Sequence, residues 1–129
     1  MADKIILVDT SILIDYYRKT DKANSTWVAL VRQGYKFAIS AITKYEIYSG
    51  ATQNQLEFWD TVLQAISIIA FDELSVDTAV TINHVLKGKR KQIDLADLFI
   101  AATAVANNLP LATLNKKHFE RIEALNILE

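Results

Sequence analysis

Ile5-Ile6-Leu7-Val8-Asp9-Thr10-Ser11 is the stretch that decides how this chain folds. It opens with a short continuous apolar run rich in β-branched residues, the pattern of a strand buried on both faces in a parallel sheet. Asp9 ends the run. Thr10 and Ser11 then lead into helix-like segments at about Ile12 to Arg18 and Ser25 to Arg32, the second with Trp27, Leu30 and Val31 on one face and Gly34 as its stop.

The same alternation continues along the chain. Lys36 to Ile39 reads as a second strand, followed by a helix capped at Ser40 or Thr43 and closed by Gly50, then by a helix over roughly Gln55 to Gln64. Ser67 to Phe71 reads as a third strand, Ser75 to Leu86 as a helix, and Lys87-Gly88-Lys89-Arg90-Lys91 as a basic loop. Leu109 to Ala112 is predicted as a fourth strand and Leu125 to Leu128 as a fifth. Strands alternating with helices specify an α/β domain, a central parallel sheet of four to five strands with helices on both faces. No linker, repeat or low-complexity tract divides residues 1–129, which read as one domain.

Composition narrows the function classes. About half of the 129 residues are hydrophobic, enough to bury roughly two thirds of the unfolded surface without staples. The chain has no cysteine, which excludes disulfides, thiolate metal sites and a cysteine nucleophile. Its opening Met-Ala-Asp-Lys lacks a signal core, and no apolar stretch approaches the ~20 residues of a membrane span, so a soluble, cytoplasmic protein is expected. A net charge of -1 argues against a generic polyanion binder, so any nucleic-acid contact must be local.

One helix carries acids where acids are costly. From Leu95 to Ala106 only Asp97 and Thr103 interrupt the apolar residues, the pattern of a helix in the middle of a fold. Asp94 and Asp97 can both serve as capping residues that satisfy amides at the helix mouth. Topology places them beside other acids, however. In a parallel sheet, strand C-termini and helix N-termini share one edge. Asp9 ends the first strand there, Asn115 follows the fourth, and Glu46 lies on the helix after the second, on a stripe where an apolar residue is expected. Converging carboxylates raise one another's pKa unless a cation neutralises them, and magnesium or manganese suits an all-oxygen set that keeps bound waters. Such an ion would serve phosphodiester chemistry. Zinc fits poorly, since His84 and His118 lack metal-ligand spacing.

Three ordered motifs carry a family resemblance across nearly the whole chain. They are Val8-Asp-Thr-Ser-Ile-Leu-Ile-Asp15; Ser40-Ala-Ile-Thr-Lys-Tyr-Glu46 with Gly50-Ala51; and Ala96-Asp-Leu-Phe-Ile-Ala-Ala-Thr-Ala104 followed by Leu109-Pro-Leu-Ala-Thr-Leu-Asn115 and His118-Phe119. In these the chain resembles the PIN domain family, and within it the VapC-type ribonuclease toxins of type II toxin-antitoxin pairs. The resemblance implies a PIN-like three-layer fold and a metal-dependent endoribonuclease acting on RNA. It implies Asp9, Glu46 and Asp97 as catalytic and metal-binding acids, Thr10 or Ser11 as support, a Mg2+ or Mn2+ ion, a VapB-like antitoxin and a homodimer. Many members carry a fourth acid near Asn115; an amide there leaves one or two metals open, with Asp94 either a cap or a compensating site residue.

Competing readings stay beside this one. A non-catalytic PIN-like RNA-binding or scaffolding module fits the amide at Asn115 and the near-neutral charge, and a metal-dependent phosphatase fits the α/β scaffold but lacks an Asp-x-Asp motif after the first strand. Asp15 is expected to pair with a base such as Arg18. Tyr16, Tyr17, Trp27 and Trp59 have the spacing of core or interface aromatics rather than base-stacking platforms. Lys87, Lys89, Arg90 and Lys91 form a solvated run that can also reach RNA phosphates.

Overall fold

A computed structural model describes residues 4–129. The opening Met1-Ala2-Asp3, read above for its missing signal core, lies outside them. Four strands, β1 (Ile5–Val8), β2 (Lys36–Ser40), β3 (Ser67–Ile69) and β4 (Leu111–Ala112), form one sheet in the order β3-β2-β1-β4. All pairings are parallel, with Leu7 opposite Ala38 on one side and Leu111 on the other.

The central position of β1 explains its composition. Ile6, Leu7 and Val8 are all fully buried, because each face of the sheet carries its own core. Leu7, Ala38 and Leu111 point to one side, where they pack with Ile82 and Leu86 of α5 (Glu73–Gly88), Ile100 and Ala104 of α6 (Leu95–Ala106), and Phe119 of α7 (Lys116–Phe119). Ile6, Val8, Ile39 and Ala112 point to the other. There they meet Ile12 and Leu13 of α1 (Thr10–Arg18), Leu30 of α2 (Thr26–Arg32), Ile47 of α3 (Ala41–Gly50), and Trp59 and Leu63 of α4 (Gln53–Leu63). The period-two alternation of strand side chains thus builds a three-layer domain.

Several boundaries differ from the sequence reading. The predicted fourth strand shrinks to Leu111–Ala112, because Pro110 has no N–H for a ladder and the preceding turn uses Asn108 at φ 55. The predicted fifth strand is reduced to one bridge, Ile127 opposite Leu111; a two-residue partner offers nothing further to pair with. Strand β3 stops at Ile69 rather than Phe71. Helix α5 starts two residues earlier than expected, at Glu73 behind the Asp72 cap, and runs on through Lys87 and Gly88. Ser40, not Thr43, caps α3, its hydroxyl accepting Thr43 N at 3.0 Å. Gly34 ends the second helical segment as expected, at φ 89, where any side chain would be strained. Among the described residues no helix is long and apolar enough to cross a membrane.

Candidate functional site

Asp9 is the N-cap of α1 and sits where β1 ends. Strand pairing holds it in place: its own N–H donates to Ala112 O at 3.1 Å. The carboxylate is only 3% exposed, yet no Lys, Arg or His lies within ion-pair distance among the described residues. Hydroxyls and an amide do the work instead. Oδ1 accepts Ser11 N at 3.0 Å and the Ser11 hydroxyl; Oδ2 accepts Thr113 Oγ1 at 2.6 Å. Burial raises the proton affinity of Asp9 above the ordinary carboxylate value, and the bonds from Ser11 and Thr113 oppose that rise. The cause is desolvation rather than the acid-acid repulsion anticipated from the sequence.

The turn after β4 completes this nest. Leu114 N donates to Ser11 Oγ at 3.0 Å, and Asn115 N donates to Thr113 Oγ1 at 2.9 Å. Each hydroxyl therefore passes its single proton to Asp9 while accepting an amide of the turn, which fixes its orientation. Asn115 contributes this backbone contact and is exposed.

Glu46 is half-buried on α3 and held by a second chain of hydroxyls. Thr10 Oγ1 lies 2.6 Å from Glu46 Oε1 and 3.2 Å from Thr43 Oγ1. A hydroxyl has one proton, and the shorter contact to the carboxylate takes it, so Thr43 donates to Thr10. Ser40 Oγ in turn donates to Thr43 Oγ1 at 3.4 Å. Ser40 and Thr43 are fully buried, and such chains strengthen each bond in them. Adjacent residues Thr10 and Ser11 thus serve different acids.

Asp97 occupies the first turn of α6 and is partly exposed. His118 Nδ1 lies 3.3 Å from its Oδ2. Burial raises the Asp97 proton affinity; the His118 bond and charge oppose this, and the negative charge of Asp94 adds to it. Asp94 stands at the N-cap position but makes no side-chain capping bond. Its role as a simple cap is therefore not realised, and it lines a cavity with Asp97, His118 and Arg121.

The structure does not gather these acids into one cage. Among the described residues no three His, Asp or Glu groups converge closely enough to hold a single ion. Asp9 is held by Ser11 and Thr113, Glu46 by Thr10, and Asp97 by His118 of α7, the helix that follows the turn carrying Thr113. Thr113, His118 and Arg121 were not assigned roles from the sequence, although the Leu109–Asn115 and His118-Phe119 motifs contain the first two.

Other sequence expectations resolve clearly. Asp15 pairs with Lys19 at 3.7 Å rather than with Arg18, and also accepts Thr26 N at 3.1 Å. Tyr16, Tyr17, Trp27 and Trp59 pack with Phe37 and Phe58 in one edge-to-face and tilted cluster, as core aromatics do. Lys89 pairs with Glu123 at 2.9 Å. The cavities around the acids are lined by Arg18, Lys19, Lys116, Lys117 and Arg121, whereas Lys87, Lys89, Arg90 and Lys91 line none of them.

Comparison with known proteins agrees with this architecture. The PIN domain family model matches residues 6–125. The chain is 38% identical over 123 residues to Ribonuclease VapC1 of Methanocaldococcus jannaschii, covering 95% of this chain and 84% of that protein. It is 32% identical over 122 residues to Ribonuclease VapC10 of Mycobacterium tuberculosis, covering 94% and 90% of the two chains. The crystal structure of VapBC2 from Rickettsia felis, bound to a DNA fragment from its promoter, contains a chain that superposes with a TM-score of 0.81 at 26% identity, covering 96% of this chain and 97% of that one.

Proposed function

Because the chain belongs to the PIN domain family, we propose that it is a magnesium- or manganese-dependent endoribonuclease and the toxin of a type II toxin-antitoxin pair. The observation that carries this reading is Asp9. A buried carboxylate with no basic partner is costly unless something compensates its charge, and two hydroxyls orient this one without neutralising it. Ribonuclease names among the relatives support the substrate class. The VapBC2 complex supports a VapB-like antitoxin as partner. A homodimer and a cytoplasmic site of action complete the same proposal.

The donors present fit a hard divalent ion. They are all oxygens, and magnesium binds through one or two carboxylates while retaining waters, so three acids in a closed cage are not required. Asp9 and Asp97, with Glu46 on the neighbouring helix, are the residues that would hold it. When bound, such an ion supplies charge stabilisation to a phosphodiester and acidifies water.

The chain's own groups prepare the site. Ser11 and Thr113 fix the plane of the Asp9 carboxylate and favour its ionised form. Thr10 donates to Glu46 Oε1 and fixes the orientation of that carboxylate. His118 orients Asp97 and opposes its protonation. Incubating manganese-loaded protein with single-stranded RNA tests the reading. Wild type should cleave, and Asp97→Asn should lose cleavage while keeping the wild-type melting curve. Full activity in that variant would remove Asp97 from the mechanism. Wild-type protein that binds RNA without cutting it would favour the non-catalytic module, the reading to which the amide at Asn115 points.

A further inference from the structure

Four cavities lie side by side along the C-terminal edge of the sheet and share walls. The one containing Asp94, Asp97 and Arg121 shares His118 with a second, built from the turn after β4 and carrying Lys117. The second shares Leu114 and Asn115 with a third, which contains Ser11 and Arg18. The third shares Ile14 and Arg18 with a fourth, which contains Glu46 and Tyr17. Joined by these shared walls they form a trough that passes Glu46, Asp94 and Asp97, with Ser11 and Thr113, the two hydroxyl partners of the buried Asp9, in its walls. Its two middle compartments measure about 470 and 530 Å³, within the roughly 300–1,000 Å³ of ordinary ligand sites.

The charges along the trough are unevenly committed. Lys19 is engaged by Asp15 at 3.7 Å and Lys116 by Glu129 at 4.0 Å. Arg18 and Lys117 make no ion pair among the described residues, and Arg121 donates only to the backbone oxygen of Gln92, at 3.2 Å. Arg121 makes no ion pair with Asp94 or Asp97 although all three line one cavity. With a net charge of -1 the molecule as a whole does not attract a polyanion, and charges beyond about 8 Å are screened at physiological salt. Attraction at this acidic edge must come from cations on the trough itself.

We propose that the trough is a track for single-stranded RNA, with Arg18, Lys117 and Arg121 each contacting a backbone phosphate; the assignment rests on the ribonuclease reading above. Arg121 stands at the Asp94/Asp97 end, Lys117 in the second compartment, and Arg18 in the wall between the third compartment and the one that holds Glu46. A strand lying along this line presents a phosphodiester to Asp97 and passes the Ser11 and Thr113 walls that cover Asp9, while its flanking phosphates meet the cations. Single-strand grooves follow the backbone with positive charge of this kind. An A-form duplex is instead recognised across its wide minor groove.

Fluorescence anisotropy of a labelled single-stranded RNA, with wild-type protein in chelator to prevent cutting, tests this directly. Each true phosphate contact contributes about -0.7 to the slope of log affinity against log salt. Between 50 and 200 mM salt each contact therefore accounts for roughly a 2.6-fold loss of affinity. Arg18→Gln, Lys117→Gln and Arg121→Gln should each flatten the slope by about 0.7. Arg121→Lys should restore it, and Lys89→Gln should leave it unchanged. Wild-type slopes in the three glutamine variants, an equal effect from Lys89→Gln, equal affinity for duplex RNA, or no binding at 50 mM salt would each overturn the track. Cleavage in manganese is scored separately: a protein that cuts RNA but shows no slope change keeps the ribonuclease reading and loses the track. One that shows the slope changes without cutting keeps the track and loses the nuclease.

Discussion

Replacing Thr113 by valine keeps the branched side chain and removes one hydroxyl. That hydroxyl donates to Asp9 Oδ2 at 2.6 Å and accepts Asn115 N at 2.9 Å. Thr113 is 5% and Asp9 3% exposed, so water is a poor substitute. A hydrogen bond to a charged group contributes about 1.5–3 kcal/mol. For a domain of this length that corresponds to roughly 6–12 °C in Tm. The pH dependence separates this cause from simple repacking. Burial raises the folded pKa of Asp9, so between 3.8 and that raised value the native state binds more protons than the unfolded chain, and stability from this group falls as pH rises. The Thr113 bond opposes that fall because it favours the ionised form. Its contribution is full above the folded pKa and is lost as pH drops through it. The deficit of Thr113→Val should therefore be small in acid, grow as Asp9 ionises, and level off toward neutral pH. Urea unfolding in chelator, at acidic and neutral pH with an unchanged m-value, measures it. A deficit under about 0.5 kcal/mol at neutral pH, within the range of ordinary surface changes, would refute the reasoning. So would a deficit independent of pH.

Manganese at a hundredfold excess over its Kd should stabilise the wild-type fold by about 2.7 kcal/mol, read as a rise in melting temperature. Asp9→Asn should raise the metal-free melting temperature, because burial outweighs the hydroxyl bonds on the ionised acid, and should blunt the manganese response; a wild-type curve indifferent to the metal would count against the metal site. Phe119→Ala should cost about 3–5 kcal/mol, since this ring is fully buried at the end of the short helix that carries His118. Denaturant titration giving less than ~1 kcal/mol would show that the site collapses around the gap.

The sequence exposes features whose cause is local. The apolar run before Asp9 announces a central strand because both of its faces are covered, and the length of α6 follows from an apolar stretch broken only by Asp97 and Thr103. Glu46 stands out because it occupies an inward stripe, and the structure explains this with Thr10, 36 residues away. What stays hidden depends on distant partners or on backbone detail. Nothing in the spacing of Asp97 and His118, 21 residues apart, signals their contact. Lys89 reads as part of a free basic run until Glu123 is brought beside it. Pattern alone also overestimates the last two strands, since Pro110 limits the ladder in a way that hydrophobicity does not record. Asp94 has the right residue type and position for a cap, and its side chain makes no capping bond all the same.

The bond between Thr113 and Asp9 spans 104 residues. During synthesis, at about 5–20 residues per second, Asp9 is added to the chain roughly 5–20 seconds before its partner is made. β1 likewise waits for β4 as its neighbour on that side. A nascent or prematurely terminated chain therefore has the first acid with Ser11 on Oδ1 but nothing yet on Oδ2. Whatever chemistry this edge performs waits until Thr113 and the turn after β4 have been made.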